Sequence, residues 1–153
     1  MNEIRTCSPA ETETLGESWG RDAQSGFVIA LSGDLGAGKT QLVKGLARGL
    51  GFPGRVHSPT FTLVNVYSGG RLTLFHLDLY RLETREQILS TGFEDYLSPA
   101  GVSVIEWAER WWESGGVQSA RGQVPGVAKR LRRVQIETLD ETERRIVYED
   151  FGD

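Results

Sequence analysis

The chain has a single cysteine, Cys7, in 153 residues. That excludes an intrachain disulfide framework and the small secreted scaffolds that depend on one. No apolar run is long enough for a membrane span or a signal peptide, so a cytoplasmic protein without membrane contact is expected. Lysine is scarce, with Lys39, Lys44 and Lys129 the only three, and 17 basic against 21 acidic side chains leave a net charge of −4. Bulk attraction to nucleic acid is therefore missing, and any RNA contact needs a local patch or a partner protein. Lys129, Arg130, Arg132 and Arg133 are one candidate patch, with a solvated surface as the preferred reading. The two histidines, His57 and His76, stand isolated, with no cysteine or carboxylate at zinc-ligand spacing, so metal-free explanations are preferred for both. What remains, 39% hydrophobic residues over 1–153, fits one soluble domain with a core of several layers.

Glycine, by contrast, is plentiful and patterned. The run Gly33-Asp34-Leu35-Gly36-Ala37-Gly38-Lys39-Thr40 fits the phosphate-cradling pattern G-x-x-x-x-G-K-[ST]. Average residue frequencies give such a match by chance with odds of roughly half a percent, which favours a nucleotide site over a turn that merely joins two elements. Glycines let successive backbone N–H groups curl around phosphate oxygens, Lys39 neutralises the terminal phosphates, and the Thr40 hydroxyl is placed to ligate Mg²⁺.

The flanks support that reading. Phe27 to Leu31 is a continuous apolar run, as expected of a central strand covered on both faces. Leu42, Val43, Leu46, Ala47 and Leu50 repeat at helical spacing until Gly51-Phe52-Pro53-Gly54 stops them, and the dipole of this helix points at the phosphates. Upstream, Ser8, Pro9 and Glu11 read as a capped helix start, with Leu15, Trp19 and Ala23 forming a buried stripe. Downstream, extended segments over 61–67 and 72–79 around a Ser68-Gly69-Gly70-Arg71 turn predict a hairpin. Residues 84–97 read as short helices broken at Gly92, Val102 to Ile105 as a buried strand ending in Glu106, and 113–126 as a loop. A second hairpin is predicted over 132–139 and 144–151, and there is no internal repeat.

Phosphoryl transfer needs more than a cradle: a held Mg²⁺ and an oriented nucleophile as well. Asp78 and Glu106 each stand at the end of an apolar strand, where a carboxylate can serve the ion; the alternative is that each merely caps the next element. The hydroxyls of 57–62 could also ligand the ion or its waters, and Pro59 holds Ser58 extended; a simple strand-entry turn is the alternative. Trp107, Trp111 and Trp112 could stack on a base or a partner, although Trp107 and Trp111 are four apart, as in plain helix packing. No Asn-Lys-x-Asp run occurs, which weakens a guanine-specific reading and favours adenine.

Four motifs in register, the 33–40 run, Ser58-Pro59-Thr60-Phe61-Thr62-Leu63-Val64, His76-Leu77-Asp78-Leu79-Tyr80-Arg81-Leu82 and Ile105-Glu106-Trp107-Ala108-Glu109, resemble the bacterial TsaE (YjeE) family. The resemblance covers about residues 8–110 clearly and the C-terminal hairpin loosely. It implies an α/β fold, a three-layer α/β/α P-loop sandwich whose mostly parallel central sheet is extended by antiparallel hairpins. It also implies an ATPase working with the TsaD and TsaB proteins to make N6-threonylcarbamoyladenosine at position 37 of tRNAs that read codons beginning with A, with tRNA met through that complex rather than directly.

Carried over residue by residue, the resemblance makes Thr40 and Glu106 the Mg²⁺ ligands and the 34–40 backbone the ATP phosphate cradle. Asp78 becomes important for hydrolysis, Thr60 part of a switch-like segment whose closure would order the attacking water, Thr12 a neighbour of the nucleotide, and Trp107 a side chain against the ATP site. The stretch 111–129 matches no family motif, and His57 stands where the family commonly has a small polar residue; neither is assigned a role. Two other readings compete: a small-molecule kinase, with 121–133 as its only lid candidate, and a nucleotide-gated assembly module whose occupancy rather than turnover matters.

Overall fold

The computed structural model describes residues 2–33, 38–57, 64–110 and 130–152. Seven strands form one sheet: β1 (Asn2–Thr6), β2 (Phe27–Gly33), β3 (Val64–Tyr67), β4 (Leu74–Asp78), β5 (Val102–Glu106), β6 (Arg130–Thr138) and β7 (Arg144–Gly152), in the order β1-β7-β6-β2-β5-β4-β3. The middle four, β6, β2, β5 and β4, are mutually parallel. Antiparallel partners extend them on both sides, β7 and β1 at one edge and β3 at the other. Both predicted hairpins are therefore present, flanking a parallel centre.

Side-chain alternation explains why the centre is apolar throughout. On β2, Ile29 and Leu31 join a core with Trp19, Leu42 and Leu46, whereas Val28 and Ala30 join a second core with Ile88, Phe93 and Leu97. The first layer consists of α1 (Pro9–Asp22) and α2 (Lys39–Gly49); the second holds α3 (Arg85–Leu89) and a 3₁₀ helix, Phe93–Leu97, separated by Gly92 as the sequence indicates. Among the described residues no helix is long and apolar enough to cross a membrane.

The helix caps act as short-range rules require, with one variation. Ser8 Oγ accepts the Glu11 N–H at 3.1 Å, and Glu11 reaches back to the Cys7 N–H at 3.0 Å, one residue beyond the usual capping-box partner. Glycine sets the spacing between α1 and α2. A Cβ on Gly16 would lie 2.3 Å from the Leu42 carbonyl oxygen, and one on Gly45 would lie 2.0 Å from that of Glu13. Gly20 and Gly49 repeat the arrangement one turn further along. The two backbones thus touch directly.

Two features depart from the sequence reading. Strand β1 carries no sequence signal: of Asn2, Glu3, Ile4, Arg5 and Thr6 only one is apolar, so no alternation marks it. It is an edge strand fixed by backbone pairing to β7 and by Arg145, which reaches Glu3 at 2.8 Å and Glu137 at 3.2 Å. The basic cluster does not form one patch among the described residues. Arg132 is engaged by Asp150 at 2.7 Å and lies over the rings of Trp19 and Tyr148, 4.7 and 4.6 Å from their centroids. Arg133, one residue on, takes the other face, and Lys129 lies outside the described residues.

Candidate functional site

The parallel strands deliver their C-terminal ends to one rim, the place where open α/β sheets bind ligands. Leu31 of β2 is in register with Glu106 of β5, and Glu106 with Asp78 of β4, so the two carboxylates sit side by side, two residues short of the level of Gly33. Helix α2 starts at this rim. Gly38, at φ 98°, is its N-cap and supplies no side-chain hydrogen bond, and no acidic residue occupies its first turn. The N-terminal end and the dipole of this eleven-residue helix therefore face the rim with no side-chain bond from the N-cap itself, an arrangement suited to an anion.

Lys39, the first residue of α2, is only 5% exposed. Its Nζ donates to the Gly33 carbonyl at 2.6 Å and lies 3.7 Å from the centre of the Trp107 ring. Trp107 follows Glu106 with φ at 58°, the only non-glycine residue among those described with positive φ. Such a conformation costs about 1–3 kcal/mol and survives only where the surroundings enforce it. They do here: the Glu106 carbonyl accepts the Leu79 N–H and the Leu31 carbonyl accepts the Ala108 N–H, both at 3.1 Å. The forced turn lays the indole against Lys39 and the Tyr80 ring, 4.9 Å away. Trp107 is therefore a strand-exit residue that also packs against the second core, and its pairing with Trp111 falls outside the described residues.

The two carboxylates differ. Asp78 is half-buried, and its Oδ1 accepts the Tyr80 N–H at 2.9 Å, so one oxygen does serve the following turn. Burial raises its carboxyl above the ordinary 3.8, against the pull of the Tyr80 N–H; the Glu106 charge adds to the rise, and His76 and Lys39 oppose it. Glu106 is 4% exposed, and its Oε2 is hydrogen bonded to Nε2 of the fully buried His76. His76 is thus not isolated, as the sequence suggested. Its carboxylate partner lies thirty positions away and is reached only through the parallel pairing of β4 with β5.

Thr12 is also at the rim. It is buried in the first turn of α1, its hydroxyl 2.7 Å from that of Thr6, and its Cγ2 lies 3.9 Å from where a Cβ on Gly38 would stand. The same point is 4.0 Å from Nε of Arg144, whose Nη1 donates to the Asp140 carbonyl at 2.8 Å. Sequence reasoning passed over Arg144, since nothing in the chain order links a hairpin arginine to a loop a hundred residues earlier. Gly33, Gly38, Lys39, Thr40, Asp78, Glu106 and Trp107 all lie on the converging elements β2, α2, β4 and β5 or immediately beside them. Asp34, Leu35, Gly36, Ala37 and Thr60 lie outside the described residues, as do Trp111, Trp112 and 121–129 of the 121–133 lid candidate, whose last four residues belong to strand β6 instead. Among the described residues no three His, Cys, Asp or Glu side chains are grouped to hold a metal ion. A phosphate-bound Mg²⁺ needs only one or two carboxylates, its other ligands being phosphates and waters.

Comparison with known proteins decides the family. The family described as "Threonylcarbamoyl adenosine biosynthesis protein TsaE" matches residues 6–146. The chain belongs to the TsaE family. Among its relatives, the tRNA threonylcarbamoyladenosine biosynthesis protein TsaE of Nostoc is 47% identical over 114 residues, 72% of this chain and 70% of that protein. The Bacillus subtilis TsaE is 44% identical over 68% of this chain and 65% of its own length. For the Treponema pallidum TsaE the identity is 48%, over 67% and 76%. Among solved structures, Bacillus subtilis YdiB superposes with a TM-score of 0.73 at 32% identity, covering 96% of this chain and 83% of that one. The α/β architecture with its extended sheet is therefore a TsaE architecture.

Proposed function

We propose that this chain is a Mg²⁺-dependent ATPase that acts with TsaB and TsaD in the threonylcarbamoylation of adenosine 37 in tRNAs reading codons that begin with A. One observation carries the catalytic half of the reading: a buried lysine at a glycine-capped helix N-terminus stands at the same rim as two carboxylates brought level by strand register. The pathway half rests on family membership.

The residues present fit ATP with Mg²⁺. The N–H groups of the α2 start would bind phosphate oxygens, and Lys39 would exchange its Gly33 carbonyl for the terminal phosphates. Thr40 and Glu106 would hold Mg²⁺, which when bound neutralises the negative charge that develops on the phosphates. Trp107 would bear on the nucleotide side of Lys39, and Thr12 would close the rim from α1. Asp78 is suited to a proton role: a carboxylate whose pKa is raised by burial is a better acceptor for the proton of an attacking water than an ordinary one.

The test is phosphate release by the purified protein with Mg²⁺, alone and with TsaB, TsaD, tRNA and the threonylcarbamoyl donor, scored together with formation of the modified nucleoside. Turnover that rises with the partners while modification becomes multi-turnover is the expected result. Hydrolysis or transfer indifferent to those partners would reject the reading.

A further inference from the structure

A chain of buried polar contacts leads away from Glu106 and is not used by the chemistry above. A carboxylate only accepts hydrogen bonds, so Nε2 of His76 carries the proton directed at Glu106 Oε2. On the opposite side of the ring, Nδ1 lies 3.3 Å from the Tyr67 hydroxyl. That hydroxyl is in turn built into the His57 backbone: it donates to the His57 carbonyl oxygen at 2.7 Å and accepts the His57 N–H at 3.0 Å. Asn65 completes the knot, donating to the same carbonyl at 2.8 Å and to the Tyr67 oxygen at 3.3 Å. His76 is fully buried and Tyr67 only 6% exposed, so these groups have no water to fall back on.

We infer that His76 is a positioning residue that orients the Glu106 carboxylate toward a divalent cation, and that Tyr67 fixes the imidazole for that task by tying it to the His57 backbone. The geometry has the form of the outer partners that aim a ligating carboxylate and tune its metal affinity. Packing alone does not account for it. Phe or Leu would fill the same space on β4 between Phe75 and Leu77, whereas imidazole brings one nitrogen to each of two polar partners that lie on different strands. These bonds run through Glu106, His76, Tyr67, His57 and Asn65, whereas Lys39 donates to the Gly33 carbonyl, so their removal should weaken cation binding and leave phosphate binding alone.

This inference rests on the ATPase reading, and the experiment separates the two. Binding of a fluorescent ATP analogue is titrated with and without Mg²⁺ for the wild type and for His76→Leu, His76→Gln and Tyr67→Phe. Thermal melts of each variant accompany the titrations. The Mg²⁺ concentration giving half-maximal tightening should rise roughly 10- to 100-fold in His76→Leu, while Mg²⁺-free nucleotide affinity stays within about twofold. Glutamine places its amide nitrogen near the position of Nε2 and should restore most of the Mg²⁺ response. Tyr67→Phe should fall between the two. If His76→Leu does not fold, the order of wild type, His76→Gln and Tyr67→Phe decides. An unchanged Mg²⁺ midpoint in Tyr67→Phe, or an equal loss of Mg²⁺-free and Mg²⁺-dependent binding in the histidine variants, overturns the inference and leaves the ATPase reading standing. A wild type that binds no nucleotide, or binds it without response to Mg²⁺, overturns both.

Discussion

The ends of β4 and β5 occupy the same level of the sheet and each carries a carboxylate, yet the two are held differently. Asp78 is half-buried, bonded within its own turn to Tyr80, and shifted toward protonation by burial. Glu106 is buried and bonded across the sheet to a histidine on the strand that carries Asp78. A locally tethered acid can exchange a proton without breaking a bond across the sheet. One locked by a distant donor is suited to accepting a cation in a fixed direction. Register places two like groups together, and their surroundings divide the work between them.

Substituting each carboxylate by its amide sharpens that contrast most. Glu106→Gln should abolish Mg²⁺-dependent turnover by on the order of 10³-fold, the equivalent of several kcal/mol of charge stabilisation, and should blunt the Mg²⁺ response of nucleotide binding. Asp78→Asn should lower kcat by roughly 10²- to 10⁴-fold while leaving Mg²⁺-dependent ATP binding intact. Equal effects of both substitutions on binding and turnover would erase the division of roles.

Asp78 should also give the stability a pH dependence. A raised carboxyl pKa means the folded state holds a proton more tightly than the unfolded one, so stability falls as pH rises from 3.8 through the raised folded value and stays reduced above it. Asp78→Asn should remove that pH-dependent loss, seen as a higher Tm than wild type near neutral pH and a smaller gap at acid pH. In the wild type, the acid limb of the turnover profile should lie above pH 3.8 for the same reason. A limb at or below that value, or a Tm lowered by Asp78→Asn at neutral pH, counts against the assignment.

Trp107→Gly tests the link between the strand ends. Glycine accepts positive φ freely, so relief of strain should offset part of the lost ring packing, and the melting temperature should drop less than for Trp107→Ala. Both should weaken ATP binding about two- to thirtyfold through loss of the ring beside Lys39. The smallest effect is expected at Ser103 on β5, whose buried hydroxyl has no hydrogen-bond partner among the described residues. Ser103→Ala should be neutral or stabilising by up to about 1 kcal/mol in denaturant melts, with turnover unchanged.

Much of this was legible in the chain. The Gly-rich run, the doubly apolar β2, the strand that ends in Glu106 and both hairpins follow from period, turn chemistry and motif spacing. The missed features share one cause: each depends on which strand lies beside which. His76 meets Glu106, and Arg144 approaches Gly38, only after the strands are ordered, and β1 exists only because β7 offers it an edge. The positive φ of Trp107 is likewise imposed by bonds from neighbouring strands rather than by any local preference of tryptophan.

The direct backbone contact between α1 and α2 has a mechanical consequence. Helices separated by interlocking side chains can slide by changing rotamers, but where Gly16 and Gly20 meet Leu42 to Gly49 the backbones touch with no side chain between them to reorganise. The pair should translate as a single beam, carrying Thr12 and Gly38 side by side at its rim end in constant separation. Any change of shape that accompanies a turnover cycle is then borne by the opposite wall of the rim, and natural variation at these four glycines should be the least tolerated anywhere on the helical layer.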